Sequence, residues 1–240
     1  VEKLISNYQE AGFDYPYILS EFGIRGTWDW QTPHTDWFTK SANGGLIEPS
    51  GNEKAAIYKK IYTDCVSACS DKGCIGSFVF LWGWQSHGDV LNWYAMYDQF
   101  EASALPTVEA MEEMWTGEAP MNSAPVIASR EDGKTGGKIY IDGRTSDQSI
   151  ALAHGSQHMA SVDATDPDGD ELTYDWKIIP DVRQDVGKAM SPIAGLFTGK
   201  MGAQVNFKAP SATGYYRLIV YVRDKAHGTA SCAVIPFKVN

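Results

Sequence analysis

A glutamate at the end of an apolar run is the residue of this sequence best placed to do chemistry. The run YILSEFG spans residues 17–23, follows Pro16 and is apolar without alternation until the chain nears Glu21. Such a run is typical of a strand that is covered on both faces and presents one side chain at its end. A second run, GSFVFLWG, spans residues 76–83 and contains Trp82. The two runs predict strands that bring a carboxylate and an indole to one rim, where (β/α) barrels carry their catalytic residues.

The segments around these two runs predict an alternation of helices and strands. We expect the end of a helix over residues 3–11, a strand over 16–22 and a long loop over 24–52. Asn52 and Glu53 then read as the N-cap and first-turn acid of a helix that Gly73 ends. A strand over 76–82, an aromatic loop over 83–97 and a helix over about 105–116 follow. This order is typical of the last part of an α/β barrel.

Taken together, the motifs ILSEFG and FVFLW resemble the seventh and eighth strands of a clan A glycoside hydrolase. The resemblance covers roughly residues 1–120. It implies that Glu21 stands at the position of the catalytic nucleophile and Trp82 at that of the tryptophan that ends the last strand. Retaining hydrolysis needs a second carboxyl group about 5 Å from the nucleophile. In clan A this residue ends strand four, which would precede the present sequence.

The resemblance therefore implies a fragment of a secreted retaining glycoside hydrolase or transglycosylase that acts on a polysaccharide. Without the strand that carries the acid/base, we expect the fragment to be inactive alone. A non-catalytic carbohydrate-binding or structural module is the alternative.

Aromatic residues are concentrated in the first half of the sequence. Seven of the eight tryptophans lie before residue 120, and only Trp176 lies after it. Aromatic faces stack on pyranose rings, and amide or imidazole groups bond to hydroxyls, although large aromatic side chains are also ordinary core material. We expect Trp115 to pack, because it lies on a helix. The candidate sugar-binding residues on the two loops are Trp28, Trp30, His34, Trp37, Trp82, Trp84, Gln85, His87 and Trp93.

The second half has a different pattern. A Pro-rich stretch, GEAPMNSAP at residues 117–125, reads as an interdomain linker. Strands are predicted beyond it over 138–141, 158–164, 172–178, 204–208, 215–223 and 231–239. The segment VDATDPDGDELTYDW, at residues 162–176, resembles polycystic-kidney-disease-like and cadherin-like modules appended to secreted hydrolases.

The expected fold class is therefore multidomain, α/β plus all-β. It combines a partial (β/α) barrel, which keeps only its last strands and helices, with an immunoglobulin-like β-sandwich. We expect the barrel part over residues 1–118, the linker over 119–125 and the β-sandwich over 126–240.

Two clusters could hold a metal ion, although no cofactor is required. Asp163, Asp166, Asp168 and Asp170 crowd an oxygen-rich turn that would suit a structural Ca²⁺, and an Asp-Gly turn without metal is the alternative. Cysteines at 65, 69 and 74 could form one disulfide of undetermined pairing, serve as small core residues or, with a fourth ligand, bind zinc.

Charge and chain ends restrict the partners. A formal charge of -10 and a pI near 4.9 disfavour nucleic acid and anionic membranes and leave a neutral polysaccharide as the expected partner. The sequence shows no signal-peptide pattern, and it opens inside a helical pattern without methionine, so we expect it to belong to a longer protein. The resemblance to secreted hydrolases and their modules implies a secreted, or periplasmic or extracellular, location. A partial barrel exposes strand edges, so the missing barrel half or a second copy of the chain is a further expected partner.

Overall fold

The structure is a computed structural model that describes residues 2–24, 39–84, 92–181 and 191–240. Within these residues, no helix is long and apolar enough to cross a membrane.

In the described part of the first half, three α-helices accompany one pair of strands. Its elements, in chain order, are α1 (Glu2–Glu10), β1 (Tyr17–Phe22), α2 (Gly51–Ile61), β2 (Cys74–Val79) and α3 (Pro106–Thr116). A π-helical turn over Tyr62–Val66 and a 3₁₀ turn over Ser67–Lys72 continue α2. Gly73, in the left-handed region with φ 94°, then turns the chain into β2. Strands β1 and β2 pair in parallel, with Tyr17 opposite Cys74 and Phe22 opposite Val79.

The start of α2 differs from the prediction. The N-cap is Ser50, whose backbone N–H donates to the Glu53 carboxylate at 2.7 Å, so the prediction of Asn52 as the cap was wrong. Asn52 instead accepts hydrogen bonds from the Ile127 N–H and the Ser231 hydroxyl. Its side chain is used to attach α2 to the second half of the chain.

The second half consists of strands. In chain order they are β3 (Val126–Ile127), β4 (Ile139–Ile141), β5 (Ala151–Leu152), β6 (Gln157–Val162), β7 (Ala164–Thr165), β8 (Leu172–Pro180), β9 (Phe197–Thr198), β10 (Gln204–Lys208), β11 (Gly214–Asp224) and β12 (Ala230–Val239). Each of the predicted strands corresponds to one of the longer observed strands. The short strands β3, β5, β7 and β9 were not predicted.

Two four-stranded sheets enclose the main core of this half. One sheet has the order β4-β6-β10-β9 and the other the order β5-β12-β11-β8. Trp176, Phe207, Leu218 and Ile235 are among the buried side chains between them. The immunoglobulin-like class of this arrangement, the partial-barrel class of the first half and the boundary between the two stay predictions.

The sheet β5-β12-β11-β8 is buried on both faces. Its second face packs Ile219, Tyr221 and Val234 against Ala95 and Leu105 of the first half. Strand β11 is therefore buried at every position from Tyr216 to Asp224, although its alternating sequence is typical of a strand with one face in solvent. The first half supplies the second cover.

Candidate functional site

Glu21 lies at the carboxyl end of β1 with its side chain exposed to solvent. Its neighbours Leu19 and Phe22 are buried, and the Phe22 ring lies 6.3 Å from the ring of Tyr58 on α2. Leu19 and Phe22 pack into the apolar clusters of the first half, whereas the Glu21 carboxylate lies in solvent at the end of the strand. The catalytic role of Glu21 stays a prediction.

The rim next to Glu21 is tightly packed. The Phe80 N–H donates to the Phe22 carbonyl at 2.8 Å, and the Tyr58 hydroxyl donates to the Phe80 carbonyl at 2.5 Å. Burial raises the pKa of Tyr58, so the phenol stays protonated as a donor. A Cβ on Gly23 would lie 2.5 Å from the Phe80 carbonyl oxygen. Glycine is therefore required where the chain leaves β1.

Trp82 belongs to an exposed group of aromatic rings that we call the aromatic platform: Trp82, Tyr97 and Trp115. The Trp82 ring centroid lies 5.4 Å from that of Tyr97, nearly edge-on, and 6.1 Å from that of Trp115, at an interplanar angle of 32°. Trp82 is 52% exposed and Trp115 is 50% exposed. The platform offers apolar ring surface to solvent, as a stacking site for sugar rings requires.

Trp115 is the member of this group that the sequence did not indicate. It lies in the last turn of α3, four residues after the fully buried Met111 and therefore on the same side of the helix. The expectation that Trp115 packs was only half right, because the core ends before the last turn and one half of the indole stays exposed. Its position at a helix end was the available signal.

The other predicted sugar-binding residues divide into three groups. Trp84 is 43% exposed, as a stacking residue needs to be. Trp93 is 3% exposed and packs with Leu46 and Tyr94, so its indole offers almost no surface to a ligand and its predicted contact role is corrected to a packing role. The residues that lie outside the described ranges are Trp28, Trp30, His34, Trp37, Gln85 and His87.

A buried ion pair positions the loop that carries Tyr97. The Asp98 carboxylate accepts hydrogen bonds from the guanidinium of Arg223 on β11 at 2.8 Å and from the N–H groups of Phe100, Glu101 and Ser103. Burial alone would raise the pKa of Asp98, but these hydrogen bonds and the Arg223 charge hold it below its usual value. The ionised carboxylate thus fixes the turn next to Tyr97 onto the sheet.

A second group of buried polar side chains attaches α2 to the same strand. The Lys54 ammonium donates to the Glu48 carboxylate at 2.5 Å and to the Asn92 carbonyl at 2.5 Å. Glu48 also accepts a hydrogen bond from Arg217 on β11 at 3.3 Å. Glu48, Lys54 and Arg217 are each buried. We call these three side chains the buried charge network, and they join the two halves without exposure to water.

The predicted calcium ligands lie on the surface around the turn before β8. The Asp166 carboxylate accepts hydrogen bonds from the N–H groups of Asp168 and Asp170 with one oxygen, whereas its Oδ2 is buried and has no hydrogen-bond partner among the described residues. This atom would fit a cation. Asp163 is exposed and carries no such feature, so a calcium site over the four aspartates stays a prediction.

One of these aspartates belongs to a cluster that the sequence did not indicate. Ligand atoms of Asp170, Asp224 and His227 lie within 4.8 Å of one another. Asp224 ends β11 and His227 follows it, more than fifty residues after Asp170, so only the fold brings them to Asp170. The Asp224 carboxylate already accepts hydrogen bonds from the Ala226 and His227 N–H groups and from Asn122.

The cysteines of the first half form part of one apolar cluster. Cys65, Cys69 and Cys74 are buried together with Ile5 and Leu19, and no disulfide joins them. Among the described residues, the cluster that could bind a metal ion contains no cysteine. The arrangement agrees with the expectation that they are small core residues.

Comparisons with known proteins give only weak likenesses. No family model and no curated protein matches the sequence. One similar solved structure is a nucleoside hydrolase-related protein from Saccharophagus degradans that is associated with carbohydrate metabolism, with 19% identity, a TM-score of 0.31, and coverage of 62% of this chain and 35% of that one. An endo-beta-1,4-mannanase from Thermotoga petrophila has 18% identity, a TM-score of 0.26, and coverage of 100% of this chain and 42% of that one.

A third similar structure is the PmoD soluble domain from Methylocystis sp. ATCC 49242 (Rockwell), with 16% identity and a TM-score of 0.26 over 42% of this chain and 90% of that one. The present chain spans well under half the length of the first two proteins. Distant neighbours thus include a carbohydrate-associated protein and a glycoside hydrolase, at a similarity too low to assign this chain to either.

Proposed function

We propose that this chain is the polysaccharide-binding part of a secreted or periplasmic retaining glycoside hydrolase or transglycosylase. The observation that carries the proposal is the aromatic platform, in which two indoles about half exposed lie side by side at 6.1 Å. Exposing so much apolar ring surface is unfavourable in water unless a ligand covers it. A pyranose ring, with one apolar face and a rim of hydroxyls, is a ligand of matching chemistry.

Glu21 is proposed to occupy the nucleophile position of the complete enzyme. Because β1 and β2 are parallel, their carboxyl ends lie at the same edge of the sheet. Glu21 lies at the end of β1, and Trp82 comes shortly after the end of β2. Retaining glycoside hydrolysis uses a carboxylate as nucleophile, and an exposed indole offers a surface on which a sugar ring can stack. The acid/base carboxyl group is proposed to come from a part of the barrel that this chain does not contain, so the chain alone does not hydrolyse glycosides.

The exposed apolar side chains of the β1-β2 pair favour a partner that covers them. Ile18, Ile75 and Phe78 are each more than half exposed on these two strands, and parallel strands are normally covered on both faces. We propose that the remaining barrel, or a second copy of this chain, covers this face. The charge of -10 makes nucleic acid and anionic membranes poor alternatives.

A non-catalytic binding or structural module is the second candidate function. It shares the aromatic platform with the first candidate but assigns no role to Glu21. The two candidate functions predict different results when the missing barrel segment is added to the chain. Restored hydrolysis that Glu21→Gln abolishes favours the enzyme, and polysaccharide binding without hydrolysis favours the module.

Affinity electrophoresis tests the binding itself. We expect gels that contain soluble glucan, xylan or mannan to retard the chain in at least one case, and Trp82→Ala or Trp115→Ala to restore most of its mobility. Tyr15→Ala is the matched control, because Tyr15 is an exposed aromatic residue remote from the platform in sequence and absent from its ring contacts. Equal mobility of all variants in every gel would contradict the proposal.

A further inference from the structure

Three side chains at one end of β6 form a hydrogen-bonded chain that the proposed function does not use. The Ser156 Oγ lies 2.6 Å from His158 Nε2, and His158 Nδ1 lies 2.7 Å from the Asp142 carboxylate. A hydroxyl, an imidazole and a carboxylate in this order form the arrangement that activates serine in acyl-transfer enzymes. The sequence brings Ser156 and His158 to one side of an extended segment, because they are two residues apart.

The carboxylate is firmly held. Asp142 follows β4 in the left-handed region, at φ 50°, and exchanges backbone and side-chain hydrogen bonds with Met159. Partial burial works to raise the pKa of Asp142, but the hydrogen bonds from the Met159 N–H and from His158, with the Arg144 charge, hold it below its usual value. Asp142 and Gly143 form the two-residue turn between Ile141 and Arg144, in which both residues have positive φ and for which Asp-Gly is a preferred pair.

The imidazole is fixed on the other side by packing. His158 lies opposite Phe207 in the β6-β10 ladder, and the two ring centroids are 5.7 Å apart. The His158 side chain is 14% exposed. The ionised Asp142 accepts a hydrogen bond from the Nδ1–H group, so in the neutral ring Nε2 is the nitrogen that can accept a hydrogen bond from the Ser156 hydroxyl.

We propose that Ser156 is a nucleophile that takes an acyl group from activated esters, with His158 as the general base and Asp142 as the residue that positions it. The bond that forms joins Ser156 Oγ to the carbonyl carbon, and the bond that breaks joins this carbon to the leaving oxygen. The hydroxyl proton passes to His158 Nε2 and from there to the leaving alcohol. The products are an acylated serine and a free alcohol, with no change of oxidation state.

The neighbouring backbone restricts the acyl donors. The N–H groups of Ser156 and Gly155 already donate to the carbonyls of Ala153 and Ala209, at 3.1 and 3.2 Å. They are therefore not open to stabilise a developing oxyanion, a loss that typically costs about 10²–10³-fold in rate. The Ala153 carbonyl also lies 2.5 Å from Ser156 Oγ and competes for the hydroxyl proton. The reaction is accordingly limited to esters with good leaving groups, such as aryl esters.

The test uses the whole chain and p-nitrophenyl acetate, with peptide mass mapping to measure acetylation at Ser156. Hydroxylamine removes an ester-linked acetyl group and leaves acetylated lysines intact, so it separates the two products. We expect Ser156 in the folded chain to react about 10²-fold faster than the same serine in the urea-unfolded chain. Ser156→Ala abolishes this adduct, whereas Ser161→Ala, at a serine within β6, leaves the rate of acetylation at Ser156 unchanged.

Asp142→Asn separates positioning from folding. Asparagine tolerates the left-handed region at least as well as aspartate and keeps an oxygen for the Met159 N–H. We expect this variant and His158→Gln to lower the rate at Ser156 at least about tenfold, while the thermal transition of Asp142→Asn stays within a few degrees of the parent. Equal rates at Ser156 in the folded and unfolded chains would overturn the proposal, and this comparison needs no variant. A rate unchanged by Asp142→Asn would overturn the role of the carboxylate.

Discussion

Two apolar strands of this chain, β11 and β2, differ in how much of their side-chain surface is buried. On β11, the neighbours Leu218 and Ile219 point to opposite faces and both are fully buried, the first in the sandwich core and the second against the first half of the chain. On β2, Ile75 and Phe78 are 67% and 64% exposed. The sequences of both strands read as apolar, so the difference lies in what the chain supplies to cover them.

The sheet β5-β12-β11-β8 is covered on both faces by the chain itself, whereas the β1-β2 pair has an exposed apolar surface. The covered sheet carries buried charges whose partners all come from the same chain, such as Arg223 with Asp98. The open pair carries the proposed nucleophile and leads to the aromatic platform. We therefore expect the stability of the chain to depend on the covered sheet and ligand binding to depend on the open β1-β2 pair and the aromatic platform.

The largest effect is expected in the buried charge network. Glu48→Gln removes the negative charge that faces Lys54 and Arg217; the buried Lys54 ammonium loses its carboxylate, whereas Arg217 keeps its ion pair with Asp181 at 3.5 Å. We expect the free energy of unfolding to fall by about 3–5 kcal/mol in urea titrations. Lys60→Ala, which removes the exposed Lys60–Asp64 pair, is the control and should cost at most about 1 kcal/mol. A cost for Glu48→Gln no greater than that of the control would break the comparison.

Two isoleucines, one on the covered strand β11 and one on the exposed strand β2, allow the cost of the same substitution to be compared. Ile219→Ala opens a cavity between the sheet and the first half, and we expect it to lower the free energy of unfolding by about 2–5 kcal/mol. Ile75→Ala removes the same atoms from an exposed position, where surface substitutions usually stay within about 0.5 kcal/mol. Urea titrations measure both variants. Similar costs would mean that the β1-β2 face is covered in solution, for example by a second copy, which sedimentation would then reveal.

A smaller effect is expected from pH at the contact between α3 and residues 119–124. Burial raises the pKa of Glu109 to about 7, against the lowering effect of the hydrogen bond from the Ala124 N–H. Because the folded-state pKa lies above the usual value near 4.5, the stabilisation from this group is full below pH 4.5 and is lost as pH rises towards 7.

Thermal transitions measured across this pH range should therefore fall with pH for the parent chain and fall less for Glu109→Gln. Glu10→Gln, at an exposed residue of α1, serves as the control and should follow the parent. A parent profile that rises with pH between 4.5 and 7 would contradict the assignment of the raised pKa to Glu109.

The smallest effect concerns calcium at the acidic turn. If Asp166 Oδ2 contributes to a Ca²⁺ site, millimolar calcium should raise the melting temperature by a few degrees and a chelator should reverse the change, because a ligand of the folded state stabilises it. Asp166→Asn should abolish the response. Identical transitions with calcium and with chelator would leave the turn held by its hydrogen bonds alone.

The sequence predicted the positions of the helices and strands better than it predicted which of their faces are buried. The apolar runs located β1 and β2, and alternation located the longer strands of the second half, because these patterns are local. The second cover on β11 was not predictable, since it depends on contacts such as that of Ile219 with Leu105, more than a hundred residues apart in the chain. For the same reason, Trp93 read as a loop aromatic and is a core residue.

The candidate sites show the same limit. Glu21 and Trp82 were found because each ends a recognisable run. Trp115 meets Trp82 only through the fold, and Asp142 likewise meets His158, which lies sixteen residues later in the chain. Side chains that meet across elements leave no spacing in the sequence to read.

Chemical footprinting of the tryptophans tests the central claim most directly, because one experiment compares the open and the covered regions. We expect an indole-oxidising reagent to modify Trp82 and Trp115 in the free chain and to spare the buried Trp93 and Trp176. A soluble polysaccharide that binds, from a panel of glucan, xylan and mannan, should then protect Trp82 and Trp115. Modification of these two residues that is unchanged by every polysaccharide would contradict the claim that the aromatic platform is a carbohydrate site.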